Sequence, residues 1–395
     1  MSRESSTRFT LAGRRSASNK MPREINRNLV FNLIRVHQSL SRADLSRLSG
    51  LQRSTVSLIV ETLIRERWIS EGSMVRLPRG RSPTALHLNN QRAVVAIDIQ
   101  PSQITIAAID LGGSIIAQNK VVLPEDPNKV IRTIVREVKK VIANNSRSFD
   151  GIGISVPGRP EPSPEHPVFT PRITWPVMHL KLRLERATGL VVKMDNVANA
   201  CVLSEVWFGE SDRVRDLVVV NVSEGIGTGI FVNGRILRGK DGMAGEFGHV
   251  QIESDGPICA CGGTGCWESF ASNRAGLRYY QEMTGKSAPA TFESLLRLAQ
   301  NGDVLAVKAI EKMSFSLGRG LRMIAAALAP TEIVVVGEIT NAWYLFGSKI
   351  EAEMKHNSLP SLPRLRPSIE ASTARLRSAV ALVMDGDSLE VGRHE

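Results

Sequence analysis

Val94-Val95-Ala96-Ile97-Asp98-Ile99, followed by Ile104-Thr105-Ile106-Ala107-Ala108-Ile109-Asp110, is the stretch on which the fold turns. Both runs are short, rich in β-branched residues and apolar nearly throughout, the pattern of strands covered on both faces. A short turn between them fits a hairpin, and Gly112-Gly113 supplies the next turn. From about Asn128 to Ala143 a long amphipathic helix follows. Gly151-Ile152-Gly153-Ile154-Ser155-Val156 then reads as a buried strand ending at Pro157-Gly158. Strand-strand-helix-strand units recur after Asp216 and after Thr331. This alternation predicts an α/β body over residues 91–395.

Upstream of that body the charge changes. The 395-residue chain carries a net charge of +11, and residues 1–90 hold 16 Lys/Arg against 6 Asp/Glu, while the remainder holds 34 against 33. A basic first quarter on a neutral remainder points to a module that meets a polyanion. Residues 1–20 contain Ser and Arg without the apolar stretch of a secretory signal, and read as a disordered basic tail. No run of eighteen apolar residues occurs, so no membrane span is expected.

Residues 21–90 have the order of a winged helix-turn-helix domain. Ile25, Leu29, Val30, Leu33 and Ile34 follow helical spacing between Arg23 and His37. Ser41 is placed to cap a second helix, with Asp44 at the capping-box position, and Gly50 supplies the turn. The third segment, Arg53 to Arg67, carries Val56, Ile59, Val60 and Leu63 on one face. That leaves Arg53, Ser54, Thr55 and Ser57 at the start of a recognition helix, where side chains meet base edges and phosphates. Gln52 stands where a Ser or Thr cap would be expected. Trp68-Ile69 and Ala85-Leu86-His87-Leu88 read as two strands of a hairpin, with Arg79 and Arg81 flanking Gly80 at its tip as probes of the minor groove or backbone. Any three-helix module produces the helix pattern. Helix order, turn Gly, hairpin and basic charge together favour double-stranded DNA as the partner.

Downstream, three of the four cysteines lie close together: Cys259, Cys261 and Cys266, ten residues and more after His249. In a large and otherwise Cys-poor chain, such a cluster favours a metal site in a reducing compartment over a disulfide framework. One His and three thiolates make a closed, four-coordinate tetrahedral set, which predicts a structural Zn2+ held by a loop over residues 249–266.

These segments resemble the ROK family of bacterial repressors and sugar kinases, over nearly the whole chain. The resemblance rests on Gly151-Ile152-Gly153-Ile154-Ser155-Val156-Pro157-Gly158, on Gly225-Ile226-Gly227-Thr228-Gly229-Ile230 with Asn233-Gly234, and on Gly245-Glu246-Phe247-Gly248-His249 followed by Cys259 through Glu268. It implies a two-lobed actin-like ATPase fold for the body. A reader followed by this body resembles the family's repressors and not its free-standing kinases. The resemblance also implies a sugar site at Asn196, Glu246, His249 and Glu268. Carboxylates suit that task because each accepts from adjacent hydroxyls, and a zinc-bound His can offer its second ring nitrogen.

The same comparison argues against kinase chemistry. The family's catalytic Asp falls at Val197 here, and valine cannot accept a proton. The family's Asp-x-Gly-Gly-Thr phosphate loop reads Asp98-Ile99-Gln100-Pro101-Ser102, and the Gly-rich adenosine loop reads Val336-Gly337-Glu338-Ile339. Pro101 lacks a backbone N–H, and Gln100 lacks the conformational freedom of Gly. The expected protein is therefore a non-enzymatic transcriptional regulator, most simply a repressor of carbohydrate genes released by a sugar or sugar phosphate. It is expected to be cytoplasmic, nucleoid-associated, and a homodimer or tetramer. Two rivals are a bifunctional sugar kinase and a repressor controlled by a partner protein. The loop from Arg159 to Trp175, with Arg172 where the family often has Asn, bears on the effector's chemistry, because Arg pairs with anions.

Overall fold

The computed structural model describes residues 20–37, 39–74, 84–101, 103–122, 124, 126–158, 177–209, 216–285, 287–356, 360–368 and 371–384. Arg79, Arg81, the 159–175 loop and nearly all of the N-terminal tail lie outside the described residues. The chain forms two compact units that divide between Asn89 and Asn90.

The first unit contains α1 (Lys20–His37), α2 (Arg42–Ser49), α3 (Arg53–Arg65), β1 (Ile69–Met74) and β2 (Thr84–Leu88). The capping box forms as expected: the Ser41 hydroxyl accepts from the Asp44 amide at 3.2 Å, and the Asp44 carboxylate accepts from the Ser41 amide at 3.0 Å. Gly50 ends α2 in the left-handed region at φ 72°. The start of α3 has no side-chain cap, because Gln52 makes no such bond. β1 and β2 pair antiparallel with Ile69 opposite Leu88, forming the expected hairpin. Val30, Phe31, Ile34, Leu45, Val56, Val60, Leu63 and Leu86 form the core. Two positions differ from the expected stripe: Leu29 is exposed and Phe31 is buried, because the face of α1 that meets α2 and α3 is centred on 30, 31 and 34.

The second unit repeats one topology twice. Its first lobe holds β3 (Arg92–Ile99), β4 (Ile104–Asp110), β5 (Ile115–Val121), α4 (Pro127–Ala143), β6 (Ser148–Val156), α5 (Val177–Thr188), β7 (Val192–Asn196) and α6 (Val197–Phe208). Its sheet has the order β5-β4-β3-β6-β7, antiparallel through β5, β4 and β3 and parallel from β3 onward. The second lobe begins with β8 (Leu217–Val222), β9 (Ile226–Val232) and β10 (Arg235–Ile236). It continues through α7 (Glu268–Ala271), α8 (Asn273–Thr284), α9 (Phe292–Gln300) and α10 (Val304–Leu328), and closes with β11 (Glu332–Val336), α11 (Trp343–Lys355) and β12 (Arg364–Pro367). Its sheet order, β10-β9-β8-β11-β12, reproduces the first in direction and connection. This is the two-lobed actin-like arrangement.

Two sequence expectations change. The turn at Gly112-Gly113 leads into a third strand, β5, before α4; its run Gln118-Asn119-Lys120 faces solvent and hides the strand signal. The segment after Thr331 is strand-helix-strand only, because it completes the copy begun at β8. The thiol loop and α7 to α10 are inserted between the two halves of that copy. The last helix, α12 (Ala371–Met384), returns to the first lobe. It presses on β6 so closely that a Cβ at Gly153 would stand 2.4 Å from the Ala379 Cα.

Candidate functional site

The strand ends of both lobes open onto one cleft. Pro157, Gly158, Asn196, Val197 and Asn199 line it from the first lobe, and Asn221, the Ser223–Thr228 loop, Glu246, His249 and Glu268 from the second. Two glycines fix the second-lobe wall. The 3-10 turn Glu246–His249 lies directly on β9, and a Cβ at Gly245 (φ 91°) would stand 2.1 Å from the Thr228 carbonyl oxygen. At Gly248 it would stand 2.3 Å from that of Ile226. The spacing Gly-Glu-x-Gly-His thus lets the backbone approach the sheet while Glu246 and His249 line the cleft.

Behind this wall the four expected ligands converge. The ligand atoms of His249, Cys259, Cys261 and Cys266 all lie within 4.8 Å of one another. The Cys261 and Cys266 sulfurs are 3.7 Å apart, and the Cys259 sulfur is 3.5 Å from His249 Nδ1. A tetrahedral ion with metal–sulfur bonds of about 2.3 Å and metal–nitrogen bonds of about 2.0 Å needs edges of about 3.8 Å and about 3.5 Å. The donors therefore fit such an ion in type, number and separation. The loop that carries them turns at Gly262 (φ 91°) and Gly265 (φ 70°). Burial raises the Cys261 thiol's pKa, but hydrogen bonds from the Gly263 amide and from the Cys259 and Cys266 thiols outweigh it and hold the thiol below its ordinary value. That favours the thiolate at Cys261, whereas burial pushes the Cys259 and Cys266 thiols up. The fourth cysteine, Cys201, is buried in α6, its thiol pushed up by burial.

The four residues expected at a sugar site line the same cleft. His249 bridges metal set and cleft: Nδ1 faces the Cys259 sulfur, and Nε2 stands 3.7 Å from Glu246 Oε2. Glu268 is buried; Oε2 accepts from the Ile226 amide at 3.4 Å, and the Cys259 thiol donates to Oε1 at 3.0 Å. Asn196 caps α6, accepting from the Ala198 amide at 2.7 Å and donating to the Gly158 carbonyl at 2.8 Å. Sequence reading passed over one cleft residue, Asn221, and met Thr228 only within the motif over residues 225–230. Their Oδ1 and Oγ1 atoms are buried without a hydrogen-bond partner, a signal that only three dimensions reveal.

Val197 lines the cleft at the first position of α6. Asp195 cannot stand in for a base there. Arg238, from the second lobe, donates to both of its oxygens at 3.1 and 2.6 Å, and the Asn196 amide adds a third bond at 2.7 Å. Asp98 is equally engaged, accepting from Ser155 Oγ at 2.9 Å and Gln100 Nε2 at 2.8 Å.

In the first unit, Arg53 and Ser54 are exposed at the start of α3, and Thr55 and Ser57 are half-buried beside them. Leu58, 59% exposed, lies one turn after Ser54 and was not anticipated.

Comparison with known proteins follows from this geometry. Residues 94–382 match the ROK family profile. The chain is 30% identical over 345 residues to the xylose repressor of Bacillus spizizenii, an alignment covering 86% of this chain and 89% of that protein. It is similar to the crystal structure of a ROK family transcriptional regulator described as a homolog of the E. coli MLC protein. There the TM-score is 0.71 at 27% identity, covering 93% of this chain and 98% of that one. A ROK family glucokinase from Streptomyces griseus, in complex with glucose and AMPPNP, gives a TM-score of 0.68 at 26% identity and covers 74% of this chain and 100% of that one.

Proposed function

The chain belongs to the ROK family, and on that premise we propose that it is a sugar-responsive transcriptional repressor whose body binds its effector without phosphorylating it. One observation carries this reading: a helix-turn-helix unit shares the chain with a cleft lined by Asn196, Glu246, His249 and Glu268, with Val197 where the family resemblance implies an Asp in the kinases. The relatives support the same division. The repressor and regulator span both units, whereas the glucokinase covers 74% of this chain.

In this reading α3 enters the major groove, with Arg53 on a guanine edge and Ser54, Thr55 and Ser57 on phosphates or bases. Arg79 and Arg81 contact the minor groove or backbone. The effector lies against Asn196, Glu246, His249 and Glu268. A pyranose offers adjacent hydroxyls; Glu246 accepts from a pair of them, and His249 Nε2 supplies a fixed third contact. His249, Cys259, Cys261 and Cys266 hold a structural Zn2+. The ion fixes the ring of His249 and the course of the loop that carries Glu268, and with four protein ligands it leaves no position for water. The protein acts in the cytoplasm, on chromosomal operators, as a homo-oligomer whose paired readers require two half-sites.

Sugar and operator binding are linked, so the factor by which sugar weakens DNA binding equals the factor by which DNA weakens sugar binding. Couplings of this kind amount to about 1–3 kcal/mol, or roughly five- to 150-fold. The test is a gel-shift titration of operator DNA with a neutral sugar panel, beginning with xylose because a relative is named a xylose repressor. Wild type releases DNA as sugar rises, and Glu246→Ala binds operator normally but is not released. Release of the variant at the wild-type sugar concentration removes the effector from this cleft. Tighter DNA binding with sugar reverses the sign of the mechanism.

A further inference from the structure

Arg375, on α12, is a buried guanidinium between carboxylates from the two lobes. Its Nε lies 3.3 Å from Asp98 Oδ2, at the end of β3 in the first lobe, an ion pair by distance without hydrogen-bond geometry. Its Nη2 lies 3.5 Å from Glu338 Oε1, just past β11 in the second lobe. The Arg375 and Asp98 side chains are 7% and 5% exposed. The surrounding groups orient both acids: Ser155 and Gln100 donate to Asp98, and Asn273 Nδ2 donates to Glu338 Oε2 at 2.8 Å. Gly337 lets the Glu338 turn pass over the end of β8, where a Cβ would stand 1.8 Å from the Val222 carbonyl oxygen. Burial works against the charge on Arg375, but Asp98 and then Glu338 override it and hold the guanidinium protonated.

The place of this cluster gives it meaning. In open α/β sheets, ligands are received at the carboxyl ends of strands. Asp98 and Glu338 stand at such ends in the two sheets that face one cleft. A related protein of the same architecture holds a nucleotide analogue as well as glucose. Two carboxylates at facing strand ends make an environment for a hard cation, and a metal–nucleotide would bring one. Here the chain's own side chain supplies the positive charge.

We propose that Arg375 is a built-in counter-ion that takes the place of a metal–nucleotide at the strand ends and ties the two lobes together without one. The cleft is then specific for sugar alone. The lobes need no nucleotide to stay joined, and the charge of Asp98 and Glu338 is neutralised permanently. This does not rest on the protein being a repressor: failure of operator binding would leave it standing.

The experiment is thermal unfolding of the full-length chain, wild type and Arg375→Ala, in NaCl at matched ionic strength, with MgCl2, and with MgCl2 plus AMPPNP. The wild-type midpoint should move with neither addition. Arg375→Ala should melt several degrees lower, because buried Asp98 and half-buried Glu338 then lose the cation between them and keep only neutral donors. Millimolar Mg2+ should restore part of that loss by occupying the vacated position. Stabilisation of wild type by Mg-AMPPNP overturns the proposal, since the cleft would then accept a nucleotide with Arg375 in place. So does an Arg375→Ala protein that melts like wild type, or whose midpoint Mg2+ does not raise. If Arg375→Ala does not fold, Glu338→Gln breaks only the second-lobe half. Hydrogen exchange should then rise in the Gly337–Ala342 turn and stay unchanged in β3, and unaltered exchange in that turn refutes the tie.

Discussion

Replacing Gly320 with alanine tests whether the metal loop and the cleft are held by the core of the second lobe. Gly320 lies in the middle of α10, against Trp267, which is fully buried and donates its indole N–H to the Ser316 carbonyl at 2.8 Å. A Cβ at Gly320 would stand 1.8 Å from Trp267 Cε2 and 2.3 Å from both Cζ2 and Nε1. In a helix the exchange alone would favour folding by up to about 1 kcal/mol. Overpacking a core typically costs about 1–3 kcal/mol. This overlap is with a rigid ring that has no solvent side to move toward, so the cost lies at the upper end and a net loss of about 2–3 kcal/mol is expected. At about 2–4 °C per kcal/mol for a large domain, that lowers the midpoint by about 4–12 °C. The effect should also reach the site, because Trp267 stands between Cys266, a member of the thiol cluster that could hold a metal, and Glu268, a cleft residue. Any shift of the ring that relieves the overlap displaces both. Differential scanning fluorimetry, with zinc measured by elemental analysis on the same sample, reads both consequences. A Gly320→Ala protein with the wild-type midpoint and full metal content would show that the ring is not the brace described here.

Three further outcomes follow from the structure. Purified protein should hold one zinc per chain, and Cys261→Ser should lose both metal and stability; a stable, fully folded wild type without metal by elemental analysis would rule the site out. Val197→Asp should produce no sugar kinase activity in a coupled ADP assay, because Arg375 and Gln100 still engage Asp98; turnover by either wild type or this variant contradicts the reading. The Ser41 hydroxyl, then its amide, hold the Asp44 carboxyl below its ordinary value of 3.8. A carboxyl depressed in the folded state stabilises the fold above its unfolded pKa and loses that contribution as pH falls through the folded value. Acid unfolding of wild type should therefore show a stability loss below about pH 4 that Asp44→Asn lacks, and identical acid limbs would remove the capping box from the account.

Much of this protein was written locally in its chain. The capping box at Ser41 and Asp44, the turn at Gly50 and the missing cap at Gln52 all depend on residues within one helical turn, so the sequence displays them directly. The buried strands β3, β4 and β6 announce themselves because strands covered on both faces must be apolar throughout. β5 escaped notice because an edge strand with one wet face carries half the signal. The metal set was legible for a chemical reason: three thiols and an imidazole at tight spacing have few other uses. The identity of Val197 at the start of α6 was legible because it is a matter of a single position.

What the tertiary structure decided was the pairing of charges distant in sequence. Nothing near Asp195 indicates that Arg238 neutralises it, and nothing near Asp98 or Glu338 indicates that Arg375 stands between them. Asn221 reads as an ordinary strand residue, and Thr228 only as part of the motif over residues 225–230, until the fold buries their unpartnered oxygens at the cleft. The repeat itself became clear only as a strand order, because the second copy is split by an insertion longer than the strands it separates. Backbone preference and hydrophobic pattern act over a few residues and can be read from a string. An ion pair depends on which strand ends face each other across a cleft, and that is fixed by the packing of whole sheets.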